Sequence, residues 1–321
     1  MRILRIRACT IASLAIALIA ACDSAAGEDF PSRPLRIVVP FAGGGGADLL
    51  ARLVGQRLGA RLGQPVAVED IAGGANVLGM RAVAASAKDG YTLGLATPIF
   101  ITSSGDGYDA SRDFTPVAMI GLAPLALVVS PSVPAANLEE FIRYARSVPG
   151  TLNYASLGPE TTQGLAAELF NRTAGIVAVE VPYKGSGPAV IDLLAGNVQY
   201  FFNGLPSMIP YVESGRLRGL GVSSAKRSRL LPALPAIGEA LPGYEISTWY
   251  ALVAPSGTPG AVIERLNREV AAITAEAGLR ERLAAQGVEV RAMNPAELSS
   301  FLAAEARRWS KFTSEAKPAP R

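Results

Sequence analysis

Four consecutive glycines, Gly43–Gly46, lie between a predicted strand and a predicted helix. A phosphate-binding P-loop needs Gly-Lys-Ser/Thr after its glycines, whereas Ala47 and Asp48 follow here. A dinucleotide fingerprint needs a glycine at its sixth position, which here is Asp48 or Leu49. What remains is a loop whose backbone N–H groups stand beside a helix N-terminus and suit an anion. The alternative is a tight turn without a ligand, for which fewer glycines would suffice.

Two later loops carry hydroxyls and a cation. Ser156 lies in half of a hydrolase nucleophile elbow, Tyr-Ala-Ser-Leu-Gly, but the chain has no histidine to act as its base. We therefore interpret this segment as the end of a strand and the start of a helix, where Thr161 and Thr162 could cap the helix or bind an anion. Lys184, followed by Gly185, could pair with an anion or face solvent.

The residue counts exclude several kinds of chemistry. The chain has 321 residues, no histidine and two cysteines, Cys9 and Cys22. Without histidine, Ser-His and Cys-His mechanisms and His-ligated metal sites are excluded. Both cysteines lie close to the N-terminus, which excludes a disulfide framework. The length is typical of two domains, and a hydrophobic content of 50% fits a folded globular protein.

The N-terminus is predicted to be a signal peptide covering residues 1–26. Arginines precede an apolar run, Ala8–Ala21, which is shorter than the roughly 20 residues that span a bilayer. Two cleavage sites fit the leader. Small residues allow cleavage near Gly27, and a lipobox-like sequence would instead remove residues 1–21 and leave Cys22 lipidated. We expect export to the periplasm with either a free or a lipid-anchored N-terminus.

The charge balance argues against a nucleic-acid partner. The 30 basic and 27 acidic residues give a net charge of +3. All of that excess comes from residues 1–21, which hold Arg2, Arg5 and Arg7 and no acid. Nucleic-acid binding needs a basic face, and the remaining chain shows no sign of one.

Strands and helices alternate along the chain. The β-branched run Leu35–Val39 predicts a buried strand, and leucines at helical spacing predict a helix over 47–62. Further strands are predicted at 66–68, 91–97, 125–129, 151–156, 176–181, 198–202, 219–222, 249–254 and near 288, and further helices at 77–87, 137–147, 161–173, 187–195, 207–214, 258–276, 278–286 and 295–314. This alternation predicts an α/β fold with mostly parallel sheets flanked by helices.

Short motifs in a fixed order cover nearly all of the chain, from about 30 to 317. They are Pro-Leu-Arg-Ile-Val-Val-Pro-Phe at 34–41, Leu-Gly-Gln-Pro-Val at 62–66, Lys-Asp-Gly-Tyr-Thr-Leu at 88–93, Val-Pro-Tyr-Lys-Gly-Ser-Gly-Pro-Ala at 181–189, Asp-Leu-Leu-Ala-Gly at 192–196, Gly-Arg-Leu-Arg at 215–218, Leu-Pro at 234–235, Pro-Gly-Tyr at 242–244 and Ala-Pro-Ser-Gly-Thr-Pro at 254–259. In this order they resemble the Bug receptors, the TctC-like extracytoplasmic solute-binding proteins of tripartite tricarboxylate transporters.

The resemblance implies a two-lobed periplasmic-binding-protein fold of type II, which closes on its ligand like a flytrap. We expect one lobe to hold residues 27–124 and 255–321, and the other residues 125–254. Closure would be a hinge motion at the two crossings. A small organic acid would lie between the lobes, held mainly by backbone N–H groups, hydroxyls and water.

The resemblance also indicates which residues face this ligand. They are Phe41, Gly44, Gly45, Ala47, Asp48, Pro98, Ile99, Ser156, Leu157, Gly158, Thr161, Thr162, Lys184, Gly185 and Asn203. Lys184 is the one basic residue of these loops, so a carboxylate could be held without a buried ion pair and its desolvation cost.

Several of these positions differ from the family pattern. Two hydroxyls common in the first loop are missing, with Gly46 and Ala47 in their places, and apolar Pro98, Ile99 and Leu157 replace small polar residues. Glu160 stands where glycine is frequent. We therefore expect a ligand other than a typical dicarboxylate, either bulkier and more apolar or carrying an amine that meets Glu160. The other departures are Gln163-Gly164, where histidine is common, and Asn203-Gly204, where Asp-Asn is common.

The resemblance implies membrane transporter subunits as partners, a monomer, and neither a cofactor nor a metal. Two other functions stay open. The protein could report its ligand to a sensor kinase, or it could be an isomerase that uses Asp48 and Lys184 as acid and base.

Overall fold

The computed structural model describes residues 30–74, 76–105 and 107–316. The predicted signal peptide and Cys22 lie outside the described residues. The described strands are β1 (Leu35–Val39), β2 (Val66–Asp70), β3 (Thr92–Ala96), β4 (Phe114–Val129), β5 (Leu152–Ser156), β6 (Ala178–Pro182), β7 (Tyr200–Gly204), β8 (Arg218–Val222), β9 (Ser247–Pro255) and β10 (Glu289–Val290). The described helices are α1 (Gly46–Leu62), α2 (Val77–Ala84), α3 (Pro98–Thr102), α4 (Leu138–Ser147), α5 (Thr162–Ala174), α6 (Ser186–Ala195), α7 (Leu205–Glu213), α8 (Ile237–Ala240), α9 (Gly260–Ala275), α10 (Ala277–Ala285) and α11 (Pro295–Ala316).

The first sheet is built around β1, which pairs in parallel with β2 on one side and β3 on the other. Antiparallel β9 and the first part of β4 extend it, and β10 pairs with β4. Leu35, Ile37 and Val39 pack into the core on one face of the sheet. Val38 packs into the core on the other face. A strand covered on both faces is largely apolar, which explains the consecutive apolar residues Ile37–Val39 of β1.

The second sheet contains parallel β5, β6 and β7, together with β8 and the last part of β4, which runs antiparallel to β7 and β8. Its two faces are also both covered. Leu125, Leu127 and Val129 of β4 pack into one core. Ala126 and Val128 pack into the other. The structure therefore confirms the predicted α/β class, although each sheet is mixed and not purely parallel.

Strand β4 belongs to both sheets. Its 16 residues pair with β9 up to Pro124 and with β7 from Leu125 onward. The chain direction along β4 fixes how the sheets face each other. β1 and β3 run in the direction of β4, toward the second sheet, whereas β5, β6 and β7 run against β4, toward the first sheet. The carboxyl ends of the parallel strands in both sheets consequently face one cleft.

The structure differs from the sequence prediction at β4 and β9. The sequence predicted a strand only at 125–129, but β4 begins at Phe114 and passes through Pro116 and Pro124. Its register shifts just after Pro116, where a residue without an N–H is tolerated, and Pro124 marks the change of sheet. β9 pairs with β3 and β4 and so lies in the first sheet, whereas the return crossing was expected near 251–255. We propose that the chain returns to the first lobe just before Ser247.

Two short helices, α3 and α8, were not predicted. Each is five residues or shorter, so neither shows a helical period in the sequence. Among the residues that the structure describes, no helix has the length and apolar character needed to cross a membrane.

Ser223 joins the two crossings between the lobes. Its Oγ accepts a hydrogen bond from the N–H of Leu125 at 2.8 Å, and its own N–H donates to the Leu125 carbonyl at 2.9 Å. The Ser223 carbonyl accepts from the N–H of Ile246 at 2.9 Å. The serine therefore connects β4 to the segment that leads into β9.

We predict that Ser223→Ala lowers the free energy of unfolding by about 1–3 kcal/mol, because the buried Leu125 N–H loses its side-chain acceptor. Urea denaturation measures the change. Ser300→Ala, on the exposed face of α11, is the matched control and should stay within about 0.5 kcal/mol of the parent. Equal effects of the two substitutions would contradict the prediction.

Candidate ligand-binding site

The facing edges of the two sheets carry the loops that the sequence singled out. In the first lobe these follow β1 and β3, and in the second lobe they follow β5, β6 and β7. The Oγ1 of Thr102, at the end of α3, donates to the backbone carbonyl of Glu160 in the loop after β5 at 3.2 Å. This bond joins the two edges, so the loops lie close enough to contact one small molecule. Ligands of open α/β sheets bind at such carboxyl edges.

The glycine loop after β1 is shaped by Asp48. Gly44 adopts the left-handed conformation, with φ at 82°, and its N–H donates to Asp48 Oδ2 at 2.8 Å. Asp48 is 6% exposed, and Arg52 Nε lies 2.6 Å from its Oδ1. Arg52 also pairs with Asp70 at 3.1 Å, and a Cβ at Gly43 would come within 2.8 Å of the Asp70 carboxylate. Arg52 and the carboxylates of Asp48 and Asp70 therefore fix the shape of the glycine loop.

This arrangement leaves the N-terminus of α1 without a capping side chain from within the described ranges. Gly45 is the N-cap of α1, and no side chain that the structure describes caps it. Gly45 and Gly46 are exposed, while Phe41 and Ala47 pack against the core of the first lobe. Backbone N–H groups, and not the Asp48 carboxylate, are thus the groups that this loop presents to the cleft.

The loop after β5 uses its hydroxyls to fix its own shape. Ser156 is fully buried, and its Oγ accepts from the Gly158 N–H at 3.0 Å. Thr161 Oγ1 donates to the Gly158 carbonyl at 2.7 Å and accepts from the Gly164 N–H at 3.2 Å, which makes Thr161 the N-cap of α5. Thr162, the first residue of α5, is also buried.

The loop after β6 places a cation beside an open helix N-terminus. Lys184 is exposed and forms no ion pair with any residue in the described part of the chain. Gly185 is the N-cap of α6, again without a side-chain cap from the described residues.

Tyr183 anchors this loop to α6. Its Oη donates to Asp192 Oδ2 at 2.7 Å. Burial, aided by this bond to a carboxylate, raises the pKa of Tyr183 to about 12, so the phenol stays neutral. The same bond, with one from Asn197, lowers the pKa of Asp192 and keeps it ionised.

Asn203 is buried at the end of β7, where its side chain links two helices. Its Oδ1 accepts from Ser186 Oγ at 3.1 Å, and its Nδ2 donates to Ser207 Oγ at 3.3 Å. Of the apolar candidates, Pro98 is buried as the first residue of α3, whereas Ile99 and Leu157 are half-buried.

The structure brings the predicted residues to the two facing edges, but their contact with a ligand stays a prediction. Sequence reasoning missed Thr102, which joins the edges, and Arg52, which neutralises Asp48. Arg52 had a usable signal, since it lies four residues after Asp48 in a predicted helix. The described residues contain no cluster of three or more Asp, Glu, His or Cys side chains suited to a metal ion.

We predict that Gly164→Ala distorts the loop after β5, because a Cβ there would overlap the Gly158 carbonyl oxygen. The expected loss is about 1–3 kcal/mol in the free energy of unfolding. Gly187→Ala in α6, where a Cβ meets no atom within 4 Å among the described residues, is the control and should cause no loss. Urea denaturation compares them, and a Gly164→Ala protein as stable as the control would refute the clash.

The chain is similar to known proteins over most of its length. A family model described as tripartite tricarboxylate transporter family receptor matches residues 50–317. Protein BugT of Bordetella pertussis is 37% identical over 304 residues, which is 92% of this chain and 93% of BugT.

Solved structures agree with this match. A protein of R. palustris solved with adipate has a TM-score of 0.78 and 36% identity, covering 91% of this chain and 100% of that one. MatC from Rhodopseudomonas palustris, solved with bound malate, has a TM-score of 0.72 and 30% identity, covering 88% of this chain and 99% of MatC. The protein therefore belongs to the tripartite tricarboxylate transporter receptors, the Bug family of two-lobed solute-binding proteins.

Proposed function

We propose that this protein captures a small carboxylate between its lobes outside the cytoplasm and delivers it to a membrane transporter of the tripartite tricarboxylate type. The observation that carries the proposal is the pair of facing sheet edges, each with a glycine-capped helix N-terminus. α1 follows Gly45 in one lobe, and α6 follows Gly185 in the other. Open N–H groups at the positive end of a helix dipole suit a carboxylate.

The relatives support an acid as the ligand. Adipate and malate, the molecules bound in the two R. palustris structures, both carry two carboxylates. Lys184 supplies a positive charge at the rim of the cleft while staying hydrated. A carboxylate held in this way avoids the desolvation cost of a buried ion pair.

We further propose that the ligand has an apolar body. Ile99 and Leu157 are half-buried side chains on opposite edges of the cleft, and Phe41 lies at the start of the glycine loop. Burying methylene groups against them is favourable, whereas a ligand hydroxyl left without a partner there is costly. A ligand amine that meets the exposed Glu160 carboxylate is the second form of this proposal.

Calorimetric titration tests the ligand class. We expect adipate, whose carboxylates are joined by a methylene chain, to bind about tenfold or more tightly than succinate or malate. Phenylacetate tests a bulkier apolar body, and an amino dicarboxylate tests the Glu160 form. Tight binding of malate or succinate with none of the apolar acids or amines would refute the apolar cleft.

The same titration on two lysine variants tests the site. Lys184→Ala should weaken binding of the preferred acid about five- to tenfold, with the loss shrinking at high salt. Lys88→Ala is the control, because Lys88 is an exposed lysine that precedes the amino end of β3, the end of that strand opposite the cleft. Equal affinities of the two variants would remove Lys184 from the site.

Delivery to a transporter is tested in cells. Deleting the gene should abolish uptake of the radiolabelled acid that the purified protein binds, and plasmid-borne wild-type protein should restore it. Normal uptake combined with lost induction of genes by the same acid would instead favour the sensor-kinase role. Chemical conversion of the acid by the purified protein would favour an enzyme.

A further inference from the structure

One face of the C-terminal helix α11 packs on both lobes in turn. Leu298 and Leu302 are buried in the core of the first lobe, and Phe301 meets Trp249 of β9 edge-on at 6.0 Å. Trp309, two turns further on, is buried in the core of the second lobe. The helix rises about 16 Å between Leu298 and Trp309. It is therefore a third connection between the lobes, in addition to the two crossings of the chain.

The end of α11 is held on the second lobe by several contacts. Phe312 packs against the core of that lobe, and the Arg172 guanidinium lies 4.5 Å from the Phe312 ring centre. Arg172 also donates to the Phe312 carbonyl at 3.3 Å, and Arg308 donates to the Glu245 carbonyl. Apolar packing and backbone-directed bonds together fix this part of the helix to the second lobe.

Glu305 stands on the same face of α11, between the parts that pack on each lobe. Its side chain is 15% exposed, so the carboxylate needs partners. Its Oε2 accepts from Trp249 Nε1 at 3.2 Å and from Trp309 Nε1 at 3.0 Å. Trp249 belongs to β9 of the first lobe, whereas Trp309 lies one turn after Glu305 on α11 itself and buries its indole in the core of the second lobe. The carboxylate thus bonds α11 to the first lobe and fixes the indole through which α11 packs on the second lobe.

Beyond Glu305, a space separates α11 from the first lobe. A cavity of about 350 Å³ is lined by Ile101 and Thr102 of α3 on one side and by Ala306 and Trp309 of α11 on the other. Thr102 is also the residue that bonds across the cleft to Glu160. Relative motion of the lobes at this cavity would therefore stretch both the Thr102 bond and the bond from Trp249 to Glu305.

We propose that Glu305 is a positioning residue that keeps the two lobes close together, because it accepts a hydrogen bond from Trp249 of the first lobe and fixes the indole of Trp309 in the second. Weakening the bond from Trp249 loosens α11 from the first lobe, shifts the equilibrium toward wider separation of the lobes and lets a captured ligand leave faster. The inference depends on the two-lobed fold and not on which ligand is bound.

Spin labels on the two lobes test this proposal. The native cysteines are Cys9, in the predicted signal peptide, and Cys22. We replace Cys22 by serine and introduce cysteines at Gln56 and Glu213, which are then the labelling sites of the mature chain. These are exposed helical positions on the first and second lobes. We expect Trp249→Phe, which keeps an aromatic ring but removes the N–H donor, to move the distance distribution toward larger values. Glu305→Gln keeps a neutral, weaker acceptor and should cause a smaller shift in the same direction.

Arg307→Ala on the exposed face of the same helix is the control and should leave the distribution unchanged. If the Trp249→Phe and Glu305→Gln distributions match that of the control, the proposal is overturned and the carboxylate only satisfies buried indoles. With adipate as the probe, stopped-flow dissociation should be about tenfold faster in Trp249→Phe. A failure of adipate to bind would count against the proposed ligand class, while the distance measurement would still decide the role of Glu305.

Discussion

The direction of one strand controls the geometry of this protein. Because β4 starts in one sheet and ends in the other, every strand parallel to it in the first lobe points at the second lobe. In the second lobe, every strand antiparallel to β4 points toward the first lobe. Had the chain entered the second sheet in the opposite sense, one set of helix N-termini would lie on the far side of the molecule. The cleft is therefore a consequence of sheet topology before any side chain contributes to it.

The polar side chains at the cleft mostly form hydrogen bonds with other groups of the protein. Asp48 accepts from the glycine loop, Ser156 from Gly158, and Asn203 bonds two serines. Loops held in this way are ordered before a ligand arrives, so less entropy is lost on binding. The groups left over are backbone N–H donors, which every sequence has. In the proposed function these donors hold the carboxylate, and the apolar lining selects the acid.

Local sequence features predicted much of this arrangement and missed what depends on distant residues. The buried run of β1, the glycines before α1 and the cap at Thr161 are signals within a few residues, and the structure has each of them. The long β4 was missed because its prolines indicate breaks, and their tolerance depends on a register shift against β9. Thr102 was missed because its partner, Glu160, is 58 residues away and on the other lobe. The placement of β9 in the first sheet likewise depends on pairing that no single segment reveals.

The hydrogen bonds to Glu305 also have a consequence for the tryptophan fluorescence of the protein. The chain contains two tryptophans, Trp249 and Trp309, and both indoles donate to the same carboxylate. All tryptophan emission of the protein therefore comes from the contact between the lobes. Both rings are buried now, and any separation there would admit water to them. The unlabelled protein thus carries its own spectroscopic reporter, placed at the contact that changes when the lobes part.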